Sequence, residues 1–384
     1  MTGDAVEHAI SYWVIFEKFK SPALGGFAML SHWLPHLFFS VWSGGLADRH
    51  DPRRMIQAGL VIFMLASLAW AALIFSDSLE MWHAAVILVI HGLAGVTWGP
   101  AALVLIHDVL DAPRLHSGIR LNATARQLGL LLGPAIGAGF LVVLGPACGL
   151  LLNVVLYVPL FIWLQKNQFP RNRAAARRIR GLAEIFQTIR GVAHDRVIVS
   201  MTLLAGSASF LIGNAYQPQI PEFATDLGHG QSDGGIAYGA LLAADAAGAL
   251  TAGLVLESRN LLKASPRSAI VLALLWCVAI AGFAMSTSYP LALILLFVAG
   301  FFDLAFFAMA QTLVQLRARP ENRGQVIGLF VMAALGLRAF GGVTVGLGGS
   351  IVGIHWSLAL SAMLLFVVVA SIGAFSRRRP AAQY

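Results

Sequence analysis

Apolar runs about as long as a membrane helix, each closed by a short polar break, repeat along most of the chain. They read at 24–45, 56–75, 82–107, 119–143, 147–164, 196–216, 234–256, 268–286, 290–315, 325–349 and 356–375. About 20 helical residues cross a hydrocarbon layer of ~30 Å, so the pattern predicts eleven spanning helices. The start of the chain breaks the pattern. Residues 9–16, AISYWVIF, are apolar, but Glu7 precedes them and Glu17, Lys18 and Lys20 follow. Eight helical residues rise only ~12 Å. The stretch reads as the outer half of a first helix, truncated in the given chain, whose inner half an upstream in-frame start is expected to restore.

The polar breaks alternate in charge. Arg49, Arg53 and Arg54 occupy one break, Arg114 the next but one, then Lys166 to Arg196, then Arg259, Lys263 and Arg267, then Arg317, Arg319 and Arg323, and finally Arg377 to Arg379. Breaks 76–81, 144–149, 217–233, 286–290 and 350–355 hold no Lys or Arg. Basic loops stay on the cytoplasmic side, which predicts cytoplasmic N- and C-termini in a multi-pass plasma-membrane protein, here a bacterial inner membrane. The longest polar segment, from Gln165 to Arg196, carries Leu182, Ile185, Phe186, Ile189 and Val192 at helical spacing. It predicts a basic amphipathic helix lying on an anionic inner leaflet. The expected domains are an N-terminal bundle over 1–164, a linker over 165–195, a C-terminal bundle over 196–376 and a tail over 377–384.

The halves echo each other. Gly44 to Arg49 leaves the second helix of the first half, and Gly253-Leu254-Val255-Leu256-Glu257-Ser258-Arg259 leaves the second helix of the other. Glycine-rich runs fill the fifth helix (Gly129 to Gly139) and the eleventh (Gly336 to Gly349) at a similar offset. The predicted fold is an all-α membrane protein of two six-helix bundles related by a pseudo-twofold axis, a plan that recurs among transporters.

Composition sharpens this picture. Residues of hydrophobic type make up 58% and charged ones 11% of the 384 residues, against roughly 25% charged in soluble domains. The net charge of +8 sits at the ends of apolar runs rather than along one face, which argues against a nucleic-acid partner. Residues 1–8 are polar and acidic and do not read as a cleavable signal. Cys148 and Cys277 belong to separate runs and read as small buried hydrophobes.

One polar break is unusually dense: Gly44-Gly45-Leu46-Ala47-Asp48-Arg49-His50-Asp51-Pro52-Arg53-Arg54. Gly44 and Gly45 let a helix press against a neighbour. Asp48 at the membrane face suits a helix N-terminus from the other half, and Arg49, Arg53 and Arg54 suit carboxylates or lipid phosphates. The charges are expected in a tight turn acting as a latch between the halves. This stretch resembles the loop motif of the major facilitator superfamily, with Asp51 replacing the usual glycine and Pro52 a common basic residue. LNATARQLGLLLGPAIGAG (121–139), RPENRGQVIGLF (319–330) and Gly3-Asp4 resemble the branch of the enterobactin exporter and macrolide-efflux proteins. The resemblance implies alternating access by two rocking bundles, with Gly44, Asp48, Arg49, Arg53, Arg54 and their counterparts Glu257 and Arg259 gating the cytoplasmic side. Gly133-Pro134-Ala135-Ile136-Gly137 resembles the fifth-helix motif of exporters, where proline bends the helix and Gly133 and Gly137 pack against a neighbour.

Charges inside apolar runs ask for a reason, since each costs about 2.5–3.5 kcal/mol at mid-helix on insertion scales. Asp245, Asp303 and Arg338 lie at such depths, with Gln311 two turns beyond Asp303. A carboxylate that loses a cationic partner takes up a proton, so these residues are candidates for proton coupling or substrate contact. Arg126 shares a helical stripe with Asn122, Gly129 and Gly133 and is expected to meet Glu7, Asp4 or an anionic substrate. His32 and His36 are spaced for a metal, but no third ligand follows at a convincing spacing. No metal and no cofactor are expected. No phosphate loop, zinc-protease motif or Ser/His/Asp set appears, so no enzyme is expected. The expectation is a monomeric secondary transporter, a proton-coupled exporter of a small amphipathic molecule such as a drug or siderophore. The alternatives are an importer or facilitator of a hydrophilic metabolite, or a non-transporting truncated protein or sensor.

Overall fold

Short capped turns set the path of the chain. Lys20, in a left-handed conformation (φ 49°), closes α1 (Thr2–Phe19), and Ser21 accepts from the Leu24 N–H to open α2 (Pro22–Arg49). Asp51 caps α3 (Pro52–Phe75), with Pro52 in the first helical position, where its missing N–H costs nothing. α4 (Met81–Val109) follows, then α5 (Ala112–Lys166), which is broken at Gly145 (φ 76°) into two arms. The helix α6 (Gly181–Val192) precedes α7 (Arg196–Leu211), whose cap Asp195 accepts from the N–H groups of Val197 and Ile198. A 3₁₀ turn (Gln217–Gln219) leads into α8 (Ile220–Asp226), then α9 (Gly234–Arg259), α10 (Pro266–Ala284) and α11 (Tyr289–Arg317). The next pass is α12 (Arg323–Val331), α13 (Arg338–Gly341) and α14 (Gly348–Val352), joined through π-helical turns at Met332–Gly336 and Gly342–Leu347. α15 (Ile354–Arg377) is last. This computed structural model describes residues 1–110, 112–168, 181–229, 234–259, 265–318 and 323–377.

The chain is an all-α membrane protein. Among the described residues eight segments are long and apolar enough to cross a bilayer, one of them holding both arms of α5. The first bundle comprises α1 to α4 and the two arms of α5. The second comprises α7, α9, α10, α11, the α12–α14 pass and α15. Large apolar side chains such as Leu65, Val155, Ile294 and Val367 face outward, as lipid-facing surfaces do. Trp70, Trp276, Phe283 and Phe306 are fully buried.

Two expectations need correction. The first helix is no eight-residue stub: α1 covers 18 residues, ~27 Å by helical rise, with Asp4 and Glu7 buried inside it. A hydropathy count places acidic residues outside the bilayer because it assumes lipid neighbours, whereas here their neighbours are polar side chains. The dense charged stretch is also not a loop. α2 runs through Gly44, Asp48 and Arg49, leaving His50 and Asp51 as the turn, and α9 likewise runs through Glu257 to Arg259. The side chains of Gly44, Asp48, Arg49, Glu257, Arg259 and Arg126 lie outside the described residues.

The bundles repeat one packing device. In α4, a Cβ on Gly92 would strike the Ser31 carbonyl of α2. In α11, a Cβ on Gly300 would strike the Asp245 carbonyl of α9. These are matching helix pairs of the two halves, and in both the missing side chain lets backbones touch. The glycine run of α5 packs on α1: Gly133 abuts Ala5, and a Cβ on Gly137 would lie 2.8 Å from the Val6 carbonyl oxygen. Pro134 lies between them within the helix. In the second half the equivalent run packs on α7, where a Cβ on Gly341 would lie 2.7 Å from the Ile212 carbonyl oxygen.

Candidate functional site: a buried polar cluster and a charged interface

Asp4, Glu7 and His8 fall on one stripe of α1, at the i, i+3 and i+4 spacing that shares a helix face. That stripe faces α4, from which His91 enters between the two carboxylates. His91 Nδ1 lies 2.7 Å from Glu7 Oε1, and His91 Nε2 lies 2.8 Å from Asp4 Oδ1. The Ser67 hydroxyl of α3 donates to Glu7 Oε2 and accepts from Asn153 Nδ2 of α5 at 3.1 Å. Asp4, Glu7, His32, Ser67, His91 and Asn153 are all buried. Each carboxylate thus has partners that offset its desolvation.

Two further histidines complete the cluster. His8 Nδ1 donates to the Asp4 carbonyl at 2.8 Å, and the His8 ring meets those of His32 and His91 with centroids 4.6 Å apart in both cases. His32 and His91 are 5.7 Å apart. The close approach of α4 to α2 at Gly92 is what brings these two rings together. His36 stands beyond, 5.9 Å from His32. Among the described residues Asp4 and Glu7 meet His91, Ser67 and, through Ser67, Asn153; the side chain of the expected partner Arg126 lies outside them. His8 and His91 carry no sequence signal individually. The stripe Asp4, Glu7, His8 is the feature that would have flagged them, had residues 1–8 been counted as helix.

In the second bundle Asp245 accepts from the Tyr216 hydroxyl at 3.1 Å. Asp303 lies within electrostatic reach of both Asp245 and Arg338. All three side chains are half-buried. The Arg338 guanidinium also reaches across the bundles, 5.3 Å from the ring centroid of Trp33 on α2.

The bundles meet closely near this contact. A Cβ on Gly26 would run into the Gly342 carbonyl and lie 2.9 Å from Gly346 Cα. Gln219 Nε2 donates to the Pro22 carbonyl at 3.1 Å, and the Tyr238 hydroxyl donates to the Ala9 carbonyl at 2.8 Å. Trp13 stacks on Tyr238 at 5.6 Å. Pro22 and Gly26 lie at the end of the molecule where α1 turns into α2, and Ala9 and Trp13 extend the contact along α1.

At the opposite end Arg53 is engaged inside its own bundle. Its Nη2 donates to Asp51 Oδ2 at 2.7 Å and its Nη1 to the Asn167 carbonyl, at the end of α5, at 2.6 Å. Hydrogen bonding from Arg53 holds the Asp51 carboxyl below its usual range. Asp51 thus draws Arg53 into a local cap of α3 in the state described here. Arg54 is exposed. Near the closed end, burial pushes the Glu222 carboxyl up to about 6, with Asp226 adding to the effect.

The sequence profile of the Major Facilitator Superfamily matches residues 8–342. No curated protein sequence matches the chain. Among solved structures it is similar to a bacterial homologue of the human lysosomal transporter Spinster, in an inward-facing and unoccupied conformation, with a TM-score of 0.71 at 14% identity over 99% of this chain and 96% of that one. It is also similar to the nucleoside transporter NupG, with a TM-score of 0.69 at 15% identity over 98% of both chains. At these identities the likeness carries the fold alone.

Proposed function

The chain belongs to the major facilitator superfamily, and from that premise we propose that it is a proton-coupled secondary exporter working by alternating access. The observation that carries the proposal is Arg338 of the second bundle resting over Trp33 of the first, beside Asp303 and Asp245. A cation–π contact across two bundles lasts only while they touch there. While they touch, Trp33 holds the guanidinium beside Asp303; when they part at this outer end that hold is lost and the guanidinium swings away from the carboxylate, which then faces the outside. A carboxylate parted from its cation is the group that picks up a proton, so bundle closure and proton uptake are linked through one side chain. Basic loops on the cytoplasmic side make the closed end the outer one, and the state is then inward-facing. α6, with Phe186 and Ile189 exposed, suits contact with an anionic inner leaflet.

Export of an amphipathic molecule rests on the resemblance to the macrolide and enterobactin branch and on the half-buried Phe301, Phe302 and Phe307 of α11. A second reading, a hydrophilic cargo, is favoured by the cluster around His91, which makes the first bundle more polar than its hydropathy suggests. The test is reconstitution in vesicles carrying an internal pH dye, under an imposed proton gradient and with candidate drugs and siderophores added. Substrate-dependent proton movement is expected, and it should vanish in the Asp245→Asn, Asp303→Asn double variant. Unchanged proton movement in that variant removes both carboxylates from the mechanism.

A further inference from the structure

We propose that Asp4, His8, His32 and His91 form a binding site for a divalent transition-metal cation of the Zn²⁺ or Co²⁺ class, built into the first bundle. One ligand atom from each of the four residues lies within 4.8 Å of the others. In a four-coordinate zinc site with metal–ligand bonds of about 2.0–2.1 Å the ligand atoms stand roughly 3.4 Å apart, so small side-chain rotations close the set. Three imidazoles and one carboxylate are the donors of such ions, whereas Mg²⁺ and Ca²⁺ take oxygen ligands.

The supporting shell is already in place. His8 gives its Nδ1–H to the Asp4 carbonyl, which leaves Nε2 with a lone pair. His91 can give its Nδ1–H to Glu7, itself held by Ser67 and Asn153. That is the carboxylate–histidine–metal arrangement that orients a ligand and raises its basicity. His91 Nε2 and Asp4 then face the ion in place of each other. An independent sign comes from α2: His32 is 8% exposed, and its Nδ1 is buried with no hydrogen-bond partner among the described residues. A buried polar atom without a partner is costly, and a metal ligand bond removes the need for one. Charge agrees as well, since the carboxylates of Asp4 and Glu7 balance a divalent ion surrounded by neutral imidazoles.

Sequence spacing could not have shown this set. His32 and His36 alone suggest a pair on one helix, while the structure joins His32 to residues 28 and 24 positions before it and 59 after it. The site's location inside a transporter bundle rests on the functional reading above, but metal binding is measured apart from transport. Purified full-length protein, stripped of metal and held in lipid nanodiscs, is titrated with Co²⁺ by visible absorption and with Zn²⁺ by calorimetry. One equivalent per chain is expected, with the intense visible bands of four-coordinate Co²⁺. Glu7→Gln is expected to weaken binding by about 10- to 100-fold, and the His8→Ala, His32→Gln double variant to abolish it, while His194→Ala leaves it unchanged. Size-exclusion profiles and melting curves establish that the variants are folded. Wild-type protein that gives no Co²⁺ bands, or a folded double variant that keeps them, overturns the site. Absent metal binding with intact flux removes the metal site alone, and metal binding in a chain that moves no substrate or proton removes the transport reading alone.

Discussion

Glu222 sits at the closed end on α8, half-buried, with Asp226 on its own helix and His355 on α15 nearby. Its carboxyl is raised from 4.5 to about 6, and the sign of the consequence follows from proton counting. Between those two pH values the folded chain holds the proton and the unfolded chain does not. Stability therefore falls as pH rises from 4.5 through 6 and levels off above it. Melting curves in detergent between pH 5 and pH 8 should show this loss, and Glu222→Gln should flatten that component. Asp51 works in the opposite direction, because its carboxyl is held low by Arg53. Its contribution is present at neutral pH and disappears on acidification below the ordinary carboxylate range. Asp51→Ala removes both the cap of α3 and the Arg53 pairing, and a loss of about 0.5–2 kcal/mol is expected from the cap, read as a lower melting temperature at pH 7.

The spanning helices were legible because a lipid-facing helix needs a long apolar run, and α3, α10 and α15 have one. The amphipathic α6 was legible from the spacing of Leu182, Ile185, Phe186, Ile189 and Val192. α1 was not, because Asp4, Glu7 and His8 are hidden by partners on α3, α4 and α5 that no local window contains. The glycine runs announced close packing without naming the partner. The structure names it, and a paired comparison checks the assignment. Gly300→Ala drives a methyl group into the Asp245 backbone, and overpacking of this kind costs about 1–3 kcal/mol. Gly139→Ala meets nothing within 4 Å and gains the helix propensity of alanine, about 1 kcal/mol. The first variant should melt below the wild type and the second at or above it. Equal melting of the two would mean that α9 and α11 do not touch at Gly300.

A pair of bundles can expose a shared cleft to each side in turn only if the contact between α2 and the α12–α14 pass is made and broken in every cycle. That pass is suited to such a contact, because its two π-helical turns and its glycines let the backbone come within reach of Gly26 without side chains between them. The contact also offers a direct way to stop the cycle. A Cβ on Gly349 would stand 3.6 Å from the Cβ of Pro22, inside the ~3.5–4.5 Å range that a disulfide bridges. In a background with Cys148→Ser and Cys277→Ala, the Pro22→Cys, Gly349→Cys protein should therefore oxidise readily in the state described here. Vesicles holding the oxidised form should lose substrate-dependent proton movement, and a reductant should restore it, while either single cysteine leaves flux intact. Locking this end also fixes Trp33 beneath Arg338, so the oxidised protein should keep its Co²⁺ site even as transport stops. Complete crosslinking with undiminished flux would show that the two bundles do not need to part at this end, and the proposed link between closure and proton uptake would go with it.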